Sequence, residues 1–233
     1  MKYRDIFLKI LVFIIFSVSQ TVSAEEITIV TENFPPYNYQ NATTGKVEGI
    51  STEIIRAILK EANNETKIRI YPWPRAYDMA QTQKNVLIYS MKRTTARENQ
   101  FKWVAELVKH ESHFLALKGS PILPTDNLEE IKKYKIGAIR GGAIAKALAA
   151  DGFPNIDVIT DREGNWKKLK IGRFDLWCTN LLSARYTVKS LGENFNKLKV
   201  VHLYQRLSKY SLYGAFSKQT DDAVVDTFKK AFK

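Results

Sequence analysis

From Glu25 onward, short β-branched runs alternate with segments whose apolar residues recur at helical spacing. Ile27-Thr28-Ile29-Val30 predicts a strand. Beyond a turn at Thr43-Thr44-Gly45, the recurrence of Ile50, Ile54, Ile55, Ile58 and Leu59 predicts a helix over 51–62. Strands follow at Ile68 to Tyr71 and Val86 to Tyr89, with a short helix over 76–83 between them. Thr125-Asp126-Asn127 supplies capping side chains for a helix from Leu128 to Tyr134. Further strands are expected at Ile136 to Ile139, Ile156 to Ile159, Phe174 to Cys178 and Leu198 to Leu203, with a helix over 143–150. The last helix, Asp221 to Phe232, places acids in its first turn and Lys229 and Lys230 in its last, matching the helix dipole.

Such alternation implies an α/β fold with mostly parallel sheets. Two sets of elements are visible, and two extended stretches, Glu111 to Leu117 and Tyr210 to Phe216, connect them. The expected division is a first lobe of 25–111 plus 210–233 and a second of 112–209. Two crossings of this kind suit a hinge, because a few backbone angles there move one lobe against the other.

The first residues change the compartment. Lys2, Arg4 and Lys9 precede an apolar run from Ile10 through Val18, and Val22-Ser23-Ala24 offers a small-residue cleavage site. Residues 1–24 therefore read as a cleaved export signal, and the expected location is the periplasm. No cysteine stands at the cleavage point, so no lipid anchor is expected there. The chain carries 36 basic and 24 acidic residues, a net charge of +12, which favours anionic partners at long range. Export and the lack of a basic stretch interleaved with stacking aromatics argue against nucleic acid. Cys178 is the single cysteine, so no intrachain disulfide is available, and a buried free thiol is expected.

Four clusters carry candidate chemistry. Thr31-Glu32-Asn33-Phe34-Pro35-Pro36-Tyr37 follows the first strand, where paired prolines stiffen a loop that holds Phe34 or Tyr37 as a stacking platform. Ser90-Met91-Lys92-Arg93-Thr94-Thr95-Ala96-Arg97 combines hydroxyls with guanidinium groups that grip a carboxylate by two parallel hydrogen bonds. Arg140-Gly141-Gly142-Ala143 opens a helix whose free N–H groups suit an anion. Trp73-Pro74-Arg75 offers a pocket wall and a further cation. Each also has a structural reading: turn, exposed basic loop, tight βα turn and interfacial tryptophan, respectively. His110, His113 and His202 lack metal-site spacing, and the first two are expected on the hinge surface.

Taken in order, these segments resemble the family 3 extracellular solute-binding proteins, the group that contains polar amino-acid receptors of ABC importers. The resemblance runs through Thr31-Glu32 with Phe34-Pro35-Pro36-Tyr37, Gly49-Ile50-Ser51-Thr52-Glu53, Thr94-x-x-Arg97 with Phe101 and Val104, Ile136-Gly137-Ala138-Ile139-Arg140-Gly141 and Gly172-Arg173-Phe174-Asp175. It implies a two-lobed periplasmic-binding-protein-like fold of type II. By position, Arg97 matches the arginine that grips a ligand carboxylate, with Ser90 and Thr94 as added donors. Phe34 matches the aromatic that packs on the ligand, and Gly142 and Ala143 match the second lobe's contact. Asn180 stands where relatives place the acid that pairs with a ligand ammonium. An asparagine cannot neutralise that charge, so Glu32 is the alternative source of it.

The resulting expectation is a monomeric, cofactor-free receptor, not an enzyme, that closes on a small polar or anionic ligand and delivers it to an inner-membrane ABC permease. Its expected ligand contacts are Arg97, Thr94, Ser90, Phe34, Glu32, Tyr37, Trp73, Arg75, Gly142 and Asn180. The alternatives are a ligand-sensing module and a dehydratase-like enzyme, for which Glu32 and Asp175 would be the proton-transfer candidates.

Overall fold

The computed structural model describes residues 26–233, so the expected export signal lies outside the described residues. The leading β-branched run forms β1 (Thr28–Thr31), parallel to β4 (Ile68–Ile70) on one side and to β5 (Val86–Lys92) on the other. The crossovers between these strands are α1 (Ile50–Glu61) and α2 (Trp73–Thr82), as parallel neighbours require. A small hairpin, β2 (Tyr39–Gln40) with β3 (Val47–Glu48), precedes α1. Strand β6 (Phe101–Val108) completes the lobe's run of strands, and the late strand β12 (Leu212–Ser217) inserts antiparallel between β5 and β6. The first sheet therefore has the order β4-β1-β5-β12-β6.

The second sheet is built from β7 (His113–Leu117), β8 (Ile136–Ile139), β9 (Ile156–Ile159), β10 (Leu176–Thr179) and β11 (Leu198–Leu203), in the order β11-β7-β10-β8-β9. Its helices are α3 (Leu128–Ile131), α4 (Ala143–Ala150), α5 (Arg162–Lys170), α6 (Leu181–Ser190) and α7 (Gln205–Ser208). Helix α8 (Asp222–Ala231) returns to the first lobe. The sheets differ from the mostly parallel expectation, since each combines parallel with antiparallel pairs. The reason is connectivity: every antiparallel pair in the two sheets involves β7 or β12, the strands by which the chain enters the second sheet and returns to the first.

Helical spacing is realised as buried stripes. Ile55, Ile58 and Leu59 of α1 and Phe228 of α8 pack on Ile29 and Phe216 of the first sheet, and α2 covers its other face with Trp73, Ala76 and Ala80. In the second lobe Trp166 and Leu169 of α5 pack on Leu115 and Trp177, while Leu148 of α4 joins the cluster on the opposite face. Each large apolar side chain so buried contributes roughly 1.5–3 kcal/mol.

Two boundaries differ in ways that matter for the cleft. Helix α2 begins at Trp73 rather than 76, because Pro74 sits in the first turn, where its fixed φ and missing N–H cost nothing. Strand β5 runs on to Lys92, so Ser90 lies in a strand and not in a loop. The 34–37 loop is clamped to α1, whose first N–H groups donate to the Pro36 and Tyr37 carbonyls. Gly49 makes that approach possible: its φ is 121°, and a Cβ there would lie 2.5 Å from the Tyr37 oxygen.

Candidate functional site

The carboxyl ends of β1, β5, β8 and β10 converge on one cavity between the sheets, the place where open α/β sheets take ligands. Glu32 and Phe34 enter it from the loop after β1, Trp73 from the start of α2, and Ser90 and Lys92 from β5. From the second lobe come Ile139, Gly142 and Ala143 at the start of α4, Arg162 at the start of α5, and Thr179 and Asn180 after β10. His110, in the first crossing between lobes, closes one side. The space open to the centre of a water-sized sphere is about 60 Å³, room for about four to six waters at 10–15 Å³ each.

Arg97 lies in the 3-10 turn Thr95–Gln100 and is buried. Its Nη1 donates to the Lys92 carbonyl at 3.1 Å, and its guanidinium lies 5.3 Å from the Trp73 ring centroid and 5.0 Å from that of Tyr77. Nη2 is buried with no hydrogen-bond partner among the described residues. Burial pulls its pKa down, against the Tyr77 and Glu32 oxygens that favour the cation. A buried guanidinium with an unused N–H edge is a socket for an anion.

Ser90 stands beside it for a backbone reason. The pairing of β5 with β12 shifts register between Tyr213 and Ala215, and at this bulge Ser90 adopts a φ of 58°. Such a conformation is costly for a residue with a Cβ, and bulges re-aim side chains at functional sites. The Ser90 hydroxyl is buried without a partner among the described residues. Opposite, α4 begins at Gly142 with no side-chain cap, leaving its first N–H groups to the cleft.

In the sequence Lys92 is marked only as a member of the Ser90–Arg97 cluster. Its ammonium donates to the His110 carbonyl at 3.0 Å and the Leu207 carbonyl at 2.6 Å, tying the first crossing to α7. Burial lowers its pKa to about 7, with Arg97 adding to the fall. His110 is buried, not on the hinge surface as expected, and lies edge-on to Phe34 at 5.5 Å. Both its ring nitrogens lack hydrogen-bond partners among the described residues, and burial first, then Lys92 and Arg162, push its pKa well down. His113 is likewise buried. Nothing in the local sequence marks either histidine as internal; their place is set by the crossing strand.

Arg162 is the residue that sequence patterns missed altogether. It reaches from α5 to Glu32, with Nη1–Oε2 at 2.9 Å, also donates to the Asn33 carbonyl at 2.9 Å, and lies 3.7 Å over the Phe34 ring. Glu32 is thus occupied by an arginine of its own chain. Other links between the lobes are Tyr37 Oη to Asn180 Oδ1 at 2.9 Å and Trp73 Nε1 to the Gly141 carbonyl at 3.1 Å. The structure is that of a closed cleft.

Several expected site residues take other roles. Tyr37 is buried beside the cavity but outside its lining, and burial raises its phenol pKa to about 12. Asn180 lines the cavity, yet its Oδ1 caps α6 by accepting from the Leu182 and Ser183 N–H groups as well as from Tyr37, and its Nδ2 donates to the Glu111 carbonyl. Thr94 is half-buried off the lining, with its carbonyl accepting from the Arg97 N–H. Arg75 is a correction: it is exposed and lies over Tyr71 at 4.4 Å, because the early start of α2 turns it outward. Asp175, a proton-transfer candidate, is exposed and accepts from the Lys135 N–H. Arg93 pairs with Glu98 outside the lining.

Cys178 is a free, buried thiol on the cavity wall, and burial pushes its pKa up. Among the described residues no group of three or more His, Cys, Asp or Glu could hold a metal, and no helix is long and apolar enough to cross a membrane.

The family model for bacterial extracellular solute-binding proteins, family 3, matches residues 27–233. No curated protein matches the chain in sequence. Among solved structures, a histidine kinase sensor domain with similarity to periplasmic binding proteins superposes with a TM-score of 0.78, at 17% identity and 89% coverage of both chains. An ancestral arginine-binding protein bound to arginine follows at 0.74, with 21% identity over 88% of this chain and 90% of that one. A Salmonella typhimurium periplasmic binding protein of high arginine specificity gives 0.73, with 16% identity over 88% and 91%. At these identities the superpositions establish the two-lobed fold.

Proposed function

The chain belongs to the bacterial extracellular solute-binding proteins, family 3, and from that membership we propose a periplasmic receptor that closes two lobes on a small polar or anionic molecule and delivers it to an inner-membrane ABC permease. The proposed lobes are 25–111 plus 210–233 and 112–209, moving about the segments at 109–112 and 209–211. The observation that carries the reading is the buried Arg97 edge, without a partner among the described residues, on a residue that lines a cavity walled by both lobes. An anion docks first on the first lobe, at Arg97 and Ser90, with Phe34 and Trp73 as walls. Closure then brings the α4 N-terminus over it and removes water, which strengthens every charge-assisted hydrogen bond inside.

A second reading, ligand sensing, draws support from the likeness to a histidine kinase sensor domain. The ligand chemistry is common to both readings; they differ in what the closed form contacts. Small-angle scattering separates a receptor from a rigid scaffold: adding the molecule that co-purifies, identified by mass spectrometry, should compact a ligand-stripped protein. A ligand-stripped protein whose scattering is unaltered by that molecule would count against either form of the reading.

A further inference from the structure

Most of the cavity's charged and polar groups ask for negative charge, and the groups that could welcome an ammonium are already taken. On the asking side stand Arg97 with a free Nη2, Ser90 with a free hydroxyl, and Lys92, whose ammonium spends two of its three N–H groups on the His110 and Leu207 carbonyls. Lys146 of α4, exposed and off the lining, lies 4.9 Å over the Tyr77 ring and adds positive charge close to Arg97. On the other side, the carboxylate on the lining, Glu32, is held by Arg162 through both oxygens, at 2.9 and 3.4 Å. Asn180 has committed its carbonyl oxygen to three donors. A ligand ammonium placed here would be buried next to cations with no free counter-charge, which costs several kcal/mol.

We propose that the ligand is a short dicarboxylate without an amino group, one carboxylate on Arg97 and Ser90 and the other reaching the third N–H of Lys92 and the His110 ring. The inference rests on the receptor reading and narrows it. The cavity is small, about 60 Å³ open to water-sized centres, which favours a short chain. The groups facing Lys92 are Arg97, Cys178, Glu111 and His110, and burial keeps its pKa near 7. A second carboxylate arriving beside it restores the ammonium, so binding above neutral pH draws in a proton.

The test is calorimetry of the ligand-stripped protein at pH 8, in two buffers of different ionisation enthalpy, with succinate, glutarate, aspartate, glutamate and arginine. The expected result is that a dicarboxylate binds about tenfold or more tightly than the amino acid of equal length, with uptake of a proton. If an amino acid of the panel binds more tightly, the inference falls and the receptor reading stands. If no member binds, the inference falls, and scattering with the co-purifying molecule decides the receptor reading. Tight dicarboxylate binding without proton uptake would overturn the placement of the second carboxylate at Lys92.

Discussion

Glu32 and Arg162 form a buried ion pair that joins one lobe to the other, with Nη1 and Oε2 2.9 Å apart and the guanidinium stacked 3.7 Å over Phe34. The pair does two things at once. It latches the cleft, and it removes from the ligand's reach the carboxylate on the cavity lining.

Glu32→Gln should therefore open the ligand-bound protein. Removing one partner of a buried pair leaves the other uncompensated, at a cost of about 3–5 kcal/mol. Because opening lets water reach Arg162, that cost is relieved by lobe separation and not by unfolding. The radius of gyration should rise in small-angle scattering, and an unchanged value in the variant would show that the pair does not hold the lobes together.

Ser90→Gly is expected to weaken ligand binding while leaving stability unchanged or raised by up to about 1 kcal/mol, since glycine adopts a φ of 58° without the Cβ clash. Chemical denaturation and calorimetry read the two effects separately. A loss of stability would mean that the hydroxyl supports the bulge itself.

Lys92 gives the protein a pH signature. Its pKa falls from 10.5 to about 7 on folding, first through burial. Between those values the unfolded chain holds more protons than the folded one, so this residue makes stability rise with pH above 7, by at most about 1.4 kcal/mol per unit. Lys92→Met should flatten the difference in melting temperature between pH 7 and pH 9. An identical slope in wild type and variant would remove Lys92 as its source.

Asn180→Ala should lower stability by about 1–2 kcal/mol in urea titration, because it uncaps α6 and also strands the Tyr37 hydroxyl. Asn180→Asp keeps the acceptor, so its loss should be smaller. Equal losses would show that the Nδ2 bond to Glu111, absent from both variants, carries the effect.

Much of the scaffold was legible in the sequence, because β-branched runs and helical stripes report burial directly: β8, α4, β9 and β11 lie where the pattern puts them. The strand Phe101–Val108 was not legible as an element, and neither was the extension of β5 to Lys92. Both depend on β12, which comes more than a hundred residues later and pairs between them. The same distance rule separates the site residues. Ser90, Trp73 and Phe34 sit at strand ends or element starts that local motifs mark, whereas Arg162 and His110 acquire meaning only when the second lobe folds over the first. Arg75 and Tyr37 share motifs with true lining residues, yet helix phase and the clamp on α1 turn them elsewhere.

The central claim is that the Arg97 guanidinium holds the ligand's anion inside the closed cleft. Calorimetry of Arg97→Ala with the ligand of the wild-type protein tests it most directly. The account predicts a loss of about 2–5 kcal/mol in binding free energy, because the anion would be buried without its partner. Wild-type affinity in the variant would contradict it.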